Sequence, residues 1–172
     1  MKKEWHKHYG VYGVAYENSK ILLINKVKGP YINRFDLPGG GLNEDESIIQ
    51  HLQREFIEET GYEIEVLESL GIQDFKIKEA YLNYKFIHHI AIFYSVKLKE
   101  KVKDISSEIN VYGNNEINDS DGISWKNLNE LSIENSSPLV MKVLSELKKK
   151  FKNKGFPSDL IKYNDWKRKE VQ

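Results

Sequence analysis

The chain contains no cysteine, and only 4 of its 172 residues are proline. Without thiols there is no disulfide and no thiolate metal site, so any bound metal must be held by oxygen or nitrogen. Long apolar runs are missing too. Nothing approaches the roughly 20 residues a membrane-spanning helix needs, and residues 1–10 (MKKEWHKHYG) lack the apolar stretch of a secretory leader. The expectation is a cytoplasmic protein with no membrane partner. Nor is one sign of charge in excess: Lys+Arg and Asp+Glu both number 26, so no global field draws the chain to nucleic acid, which is not expected as a partner. No internal repeat is visible. A chain of this length makes one domain and buries about 70% of its unfolded surface without covalent staples.

Against these absences stands one dense run, GGLNEDESIIQHLQREFIEETGY, from Gly40 to Tyr62. Five residues separate Gly40 from Glu46 and seven separate Glu46 from Arg54, and Glu55, Glu58, Glu59 and Gly61 complete the pattern. If each position were met by chance about 7% of the time, seven together would come to on the order of 10⁻⁸ per starting position. Coincidence is therefore a poor explanation. Glu44, Asp45, Glu46 and Ser47 crowd acids and a hydroxyl where free N–H groups need them, and Gly61 suits a helix stop, so residues 47–60 are expected to be a helix. At about 100° per residue, Ile48, Ile49, Leu52 and Phe56 form one apolar stripe. Glu55, Glu58 and Glu59 share the adjoining face.

Three carboxylates at that spacing repel each other and call for positive charge. Arg54 and lysines can supply part of it, but hard divalent cations such as Mg²⁺ or Mn²⁺ suit clustered carboxylate oxygens and also grip a diphosphate. Gly39, Gly40 and Gly41 follow Pro38 and let backbone approach an ion or phosphate closely. Taken alone, REFIEE also reads as a solvated acidic helix face. The glycines, Glu46 and Arg54 in register favour the metal reading.

The run resembles the signature of the Nudix hydrolases, metal-dependent enzymes that cleave a diphosphate bond in compounds of a nucleoside diphosphate linked to another group. The resemblance implies a loop, helix and loop on an α/β/α sandwich, an α+β fold with a mixed sheet between helices. It implies Glu55, Glu58 and Glu59 as Mg²⁺ (or Mn²⁺) ligands, the Gly39 carbonyl as a further one, and mainly structural roles for Arg54 and Glu46. Arg54 would fix a catalytic carboxylate through a two-point pair. The missing cysteine argues against the isoprenoid isomerases of the same fold. Tyr62 stands where the pattern usually has an aliphatic residue, a slot an aromatic ring can fill. In some relatives the general base lies on the helix, at Glu55 or Glu58 here, and in others in a later loop. Asp119, Asp121 and Glu116 are the loop candidates, before a Trp125, Leu128 and Leu131 pattern similar to one that often follows that loop.

Other segments fit the same architecture. Tyr9–Tyr16 and Lys20–Asn25 are β-prone and read as a hairpin, and Lys26–Phe35 reads as a loop. Glu63–Leu70 and Tyr84–Leu98 are expected strands, the second apolar on both faces and so central. Residues 99–121 read as a long polar loop. Ser137 and Pro138 open a second helix with an apolar face of Leu139, Val140, Val143, Leu144, Leu147 and Phe151. The domain is expected over residues 1–155, with 156–172 as a C-terminal tail. The lysines from Lys148 to Lys154, with Lys167, Arg168 and Lys169 around Trp166, read as cations at a helix end or as an RNA contact, the former being commoner.

Of the histidines, His51 lies one turn before Glu55, either exposed without a role or touching the site. His88 and His89 point to opposite faces, and His6 and His8 are expected near a frayed terminus. The expected substrate is a small-molecule nucleotide, first a nucleoside triphosphate, then a nucleoside diphosphate sugar, then a dinucleoside polyphosphate, for which Tyr81 and Tyr84 give slight support. A silent nucleotide-binding module is the rival, against which every acidic position is intact. The expected assembly is a monomer or homodimer.

Overall fold

Ser47 caps the first helix, α1 (Ile48–Thr60): its hydroxyl accepts from the Gln50 N–H at 3.3 Å while the Gln50 side chain accepts from the Ser47 N–H at 3.1 Å. Gly61 ends it at φ 77°, and a Cβ there would come within 2.0 Å of the Lys103 carbonyl, so no other residue fits. The computed structural model describes residues 3–105, 120–149 and 160–169.

Five strands form the main sheet, in the order β5 (Gly39–Gly41), β1 (Lys3–Val14), β7 (Tyr84–Lys101), β6 (Tyr62–Ile77) and β9 (Ile161–Tyr163). β1 runs parallel to β7 and β6 antiparallel to it, so the sheet is mixed and β7 is central as expected. A second sheet joins β2 (Tyr16–Glu17), β3 (Lys20–Lys26) and β4 (Arg34–Asp36), with β8 (Ser120–Asn127) also on β3. The second helix, α2 (Pro138–Lys148), starts at the Ser137 cap. Leu52 and Phe56 of α1 pack with Val11, Leu22 and Val96, whereas Leu139, Val140 and Val143 of α2 pack with Tyr12, Phe75, Ile87 and Phe93. One helix thus covers each face of the main sheet.

Several expectations change. Tyr9–Tyr16 is not one arm of a hairpin: most of it belongs to β1 in the main sheet, and only Tyr16 and Glu17 fold onto β3. The turn at Asn18 and Ser19, both at positive φ, is too local to carry the whole run with it. β1 begins at Lys3, so His6 and His8 are paired in a sheet rather than frayed. The loop expected from Lys26 to Phe35 already contains the start of β4, and the strand expected to end at Leu70 continues to Ile77 through three register shifts. β7 and β8 shorten the expected 99–121 loop at both ends, and Glu116, Asp119 and Phe151 lie outside the described residues.

Part of the expected tail packs onto the domain. β9 pairs parallel to Phe75–Ile77, and Trp166 is buried in the core beside α2. Among the described residues no helix is long and apolar enough to cross a membrane.

Candidate active site

The buried face of α1 is not simply its apolar stripe. His51, Leu52, Phe56, Glu59 and Thr60 are buried, while Ile48 is exposed. The helix therefore turns one carboxylate, Glu59, inward, and its Oε2 accepts the Gly39 N–H at 2.8 Å. Burial pushes the Glu59 carboxyl up to about 8, against the opposing pull of Lys26 and the Gly39 N–H.

Glu55 and Glu58 face the other way, onto Arg54. The guanidinium grips Glu46 at two points, 2.7 and 2.9 Å, and its remaining nitrogen donates to Glu55 at 2.8 Å and Glu58 at 2.9 Å. The two-point partner is Glu46 rather than one of the three signature carboxylates. Arg54 holds the Glu46 carboxyl down to about 2, with His51 adding to the effect. Of the two readings of His51, the exposed residue without a role is the one that fails, because His51 is only 1% exposed. It bonds Glu46 through Nδ1 at 2.9 Å, and its Nε2 lies 3.6 Å from Glu55. Among the described residues no three acids or histidines stand together as a ready metal cage: Glu55 and Glu58 bond Arg54, and Glu59 bonds the Gly39 N–H.

The glycine loop sits against this helix. Gly13 and Leu42 donate to Pro38 and Tyr9, each at 2.9 Å, and bonded pairs alternate along an antiparallel ladder. The Gly39 N–H and C=O therefore both point away from β1, the first to Glu59. Gly39 has φ 135° and room for no Cβ, which would lie 2.1 Å from the Val11 carbonyl. A Cβ on Gly40 would meet the Glu55 carboxylate at 3.2 Å, so the bare backbone lets that group approach.

Asp121 is exposed at the start of β8, and only its backbone carbonyl is engaged, by the Asn25 side chain at 2.9 Å. The structure brings it into no bond with the glutamates. Trp125, Leu128 and Leu131 fall in β8, in the 3₁₀ turn Leu128–Glu130 and just beyond it, with Leu131 buried.

Sequence reasoning missed a buried histidine and tyrosine cluster. His89 is buried with both ring nitrogens engaged, Nε2 to the Tyr12 hydroxyl at 3.0 Å and Nδ1 to the Tyr31 hydroxyl at 2.9 Å. Burial keeps it neutral. His88, on the other face, pairs with Asp74. His8 also reaches the Tyr12 hydroxyl, at 3.3 Å, and is held down to about 4, mainly by burial, with His6 and Lys26 adding to it. Asp36 is buried and accepts from the Ser137 hydroxyl at 2.6 Å, tying the start of α2 to β4. Lys26 is close enough for its charge to act on Asp36, Glu59, His8 and His89 alike. The signal for Tyr12 and His8 was their shared parity in β1, hidden by the assumption of fraying.

A family model, the NUDIX domain, matches residues 6–143, the stretch that carries the loop, the capped helix and the inward glutamate. The chain belongs to the Nudix family. By that membership it is a pyrophosphohydrolase, and its mixed sheet between two helices is the Nudix fold. Solved Nudix structures share it: a NUDIX hydrolase from Nitrosomonas europaea has a TM-score of 0.60 at 16% identity, covering 90% of this chain and 78% of that one. A MutT NUDIX hydrolase from Burkholderia pseudomallei has a TM-score of 0.63 at 18% identity, covering 83% and 98%. An ADP-ribose pyrophosphatase from Streptococcus suis has 0.53 at 16%, covering 89% and 98%. Likeness at this level of identity speaks to the fold. No curated protein sequence matches the chain.

The inward Glu59 has a measurable consequence for the metal-free Nudix domain. The unfolded chain ionises Glu59 near 4.5, whereas the fold keeps its proton to about 8. Between these values the folded state binds more protons, so stability should fall as pH rises through that window, by about 1.4 kcal/mol per unit at most. Urea unfolding at pH 5, 6.5 and 8 should show this slope in the wild type and a shallower one in Glu59→Gln. Equal slopes in the two proteins would remove Glu59 as its source.

Proposed function

We propose that this Nudix enzyme hydrolyses the diphosphate bond of a nucleoside triphosphate with Mg²⁺ or Mn²⁺ held by Glu55, Glu58, Glu59 and the Gly39 carbonyl. The observation that carries the reading is the buried Glu59 bonded to Gly39, with the outward Gly39 carbonyl and Glu55 beside it. All the donors are oxygens, as hard divalent ions prefer. When bound, the ions would neutralise diphosphate oxygens and lower the pKa of water.

The protein's own groups do the rest. Arg54 sets the positions of Glu55 and Glu58 while anchored by Glu46. Glu55, lying against Gly40, is assigned as the base that takes a proton from the attacking water. The exposed Asp121 fits that role poorly, and Asp119 is the loop acid to compare with Glu55. A nucleoside is supported by half-exposed rings next to the glycine loop: His6 packs between Tyr81 at 5.4 Å and Tyr84 at 5.1 Å, and His8 lies over Gly41. Such surfaces stack bases.

A phosphate-release screen in Mg²⁺ over nucleoside triphosphates, nucleoside diphosphate sugars and dinucleoside polyphosphates tests the proposal. Release from a triphosphate at the highest kcat/KM is expected. Higher kcat/KM on another class would replace the substrate, and no release from any would support a silent binding module.

Arg54→Lys should lower kcat by less than Glu58→Gln does, because an ammonium loses the two-point grip on Glu46 but keeps a charge near the carboxylates. A larger loss, with unchanged circular dichroism, would place Arg54 on the substrate itself.

A further inference from the structure

Three buried polar side chains outside the carboxylate site have donor atoms without a hydrogen-bond partner among the described residues. They are Arg34 (Nε and Nη1), Ser120 (Oγ) and Trp166 (Nε1), which are 8%, 7% and 5% exposed. They lie in one region. In the second sheet Lys26 is paired with Arg34 on one side and with Ser120 on the other, and directly opposed residues share a face. Ser120, Lys26 and Arg34 therefore form a row across β8, β3 and β4. The Arg34 guanidinium lies 4.2 Å from the centre of the Trp166 ring, and Trp166 packs edge-on against Tyr31 and Tyr163.

Buried guanidinium groups are normally paired with a carboxylate, because a desolvated charge without partners is costly. Among the described residues Arg34 bonds only the Lys167 carbonyl, at 3.1 Å, and the acid whose charge it feels, the exposed Glu134, forms no ion pair with it. The unpartnered atoms are all able to donate: guanidinium N–H, indole N–H and hydroxyl O–H. An acceptor-rich anion would satisfy these donors and balance the guanidinium charge, and a phosphoryl group has both properties. Lys26 couples the row electrostatically to the signature helix, since its charge acts on Asp36 and Glu59.

We infer that Arg34 and Ser120, which flank Lys26, contribute to an anion subsite that receives a phosphoryl group of the substrate, with the Trp166 indole as its cover. Trp166 covers the guanidinium, so entry requires the 160–169 segment to lift. That segment is held by the three residue pairs of β9, a bond from the Lys78 N–H to the Tyr163 carbonyl, and the Arg34–Lys167 contact. The substrate part of the inference rests on the function proposed above, and the anion part does not.

Titration calorimetry with inorganic phosphate in excess chelator isolates the subsite from any metal-bound diphosphate. Wild-type protein should bind phosphate saturably, Arg34→Lys about tenfold more weakly and Ser120→Ala about threefold more weakly, as expected for lost charge-assisted and neutral bonds. No binding by the wild type, or equal binding by both variants, overturns the subsite. If Arg34→Lys does not fold, Ser120→Ala carries the comparison. With the nucleotide that the screen identifies, Arg34→Lys should raise KM about tenfold, by more than kcat falls. Weakened phosphate binding with unchanged KM would assign the subsite to free phosphate and overturn its role in substrate binding. Because the calorimetric arm involves no turnover, a failure of the hydrolase reading leaves it readable.

Discussion

Nucleotide hydrolysis should stop in excess chelator and return when Mg²⁺ or Mn²⁺ is restored. The physical basis is the state of the three signature glutamates without metal. Glu59 is buried and holds its proton to about 8, while Glu55 and Glu58 share one guanidinium nitrogen of Arg54. Arg54 is already engaged by Glu46, Glu55 and Glu58, so a divalent ion would supply the charge neutralisation that is most of the work in phosphoryl transfer. Steady-state assays across a chelator titration check it directly. Full turnover without free divalent ions would end the metal reading and would leave Arg54 and Lys26 as the charge-bearing groups to study.

Glu58→Gln and Glu59→Gln should each lower kcat by about 10² or more, the usual scale when a group that stabilises transition-state charge is removed. An amide keeps the shape but not the charge, so the fold should survive. The two variants should differ in stability. In Glu59→Gln the Gly39 N–H still finds an acceptor and an ionisable group leaves a buried position, so the metal-free protein should gain stability above pH 4.5. Glu58 is half exposed and paired with Arg54 at 2.9 Å, and neutralising it should change stability little. The measurements are kcat at saturating Mg²⁺ and urea midpoints in chelator. A variant that keeps nearly wild-type kcat loses its assignment as a metal ligand.

The α1 segment was legible in the sequence because its determinants are local. Ser47 and Gln50 reach each other within one turn, Gly61 meets a conformation closed to other residues, and Arg54 finds Glu46 and Glu58 on the same helical surface. The family signature was readable for the same reason, since its spacings are those of one helix and the loop before it. The centrality of β7 was also legible, because a strand covered on both faces must be apolar on both.

Contacts distant in sequence decided the rest. Which face of α1 is buried depends on where β1, β5 and β8 press against it, and that turned His51 and Glu59 inward and left Ile48 outside. The pairing of β1 with β7 joins residues some 80 positions apart, as in His8 with His89, and no local pattern announces it. The same holds for Arg34 meeting Trp166 and for Tyr31 and Tyr12 closing on His89. By itself the sequence determined the family and the capped helix. Only the tertiary structure decided which carboxylate is desolvated, which cation lies beside it and which buried donors are left without partners, because burial and the electrostatics that follow from it are properties of packing between segments.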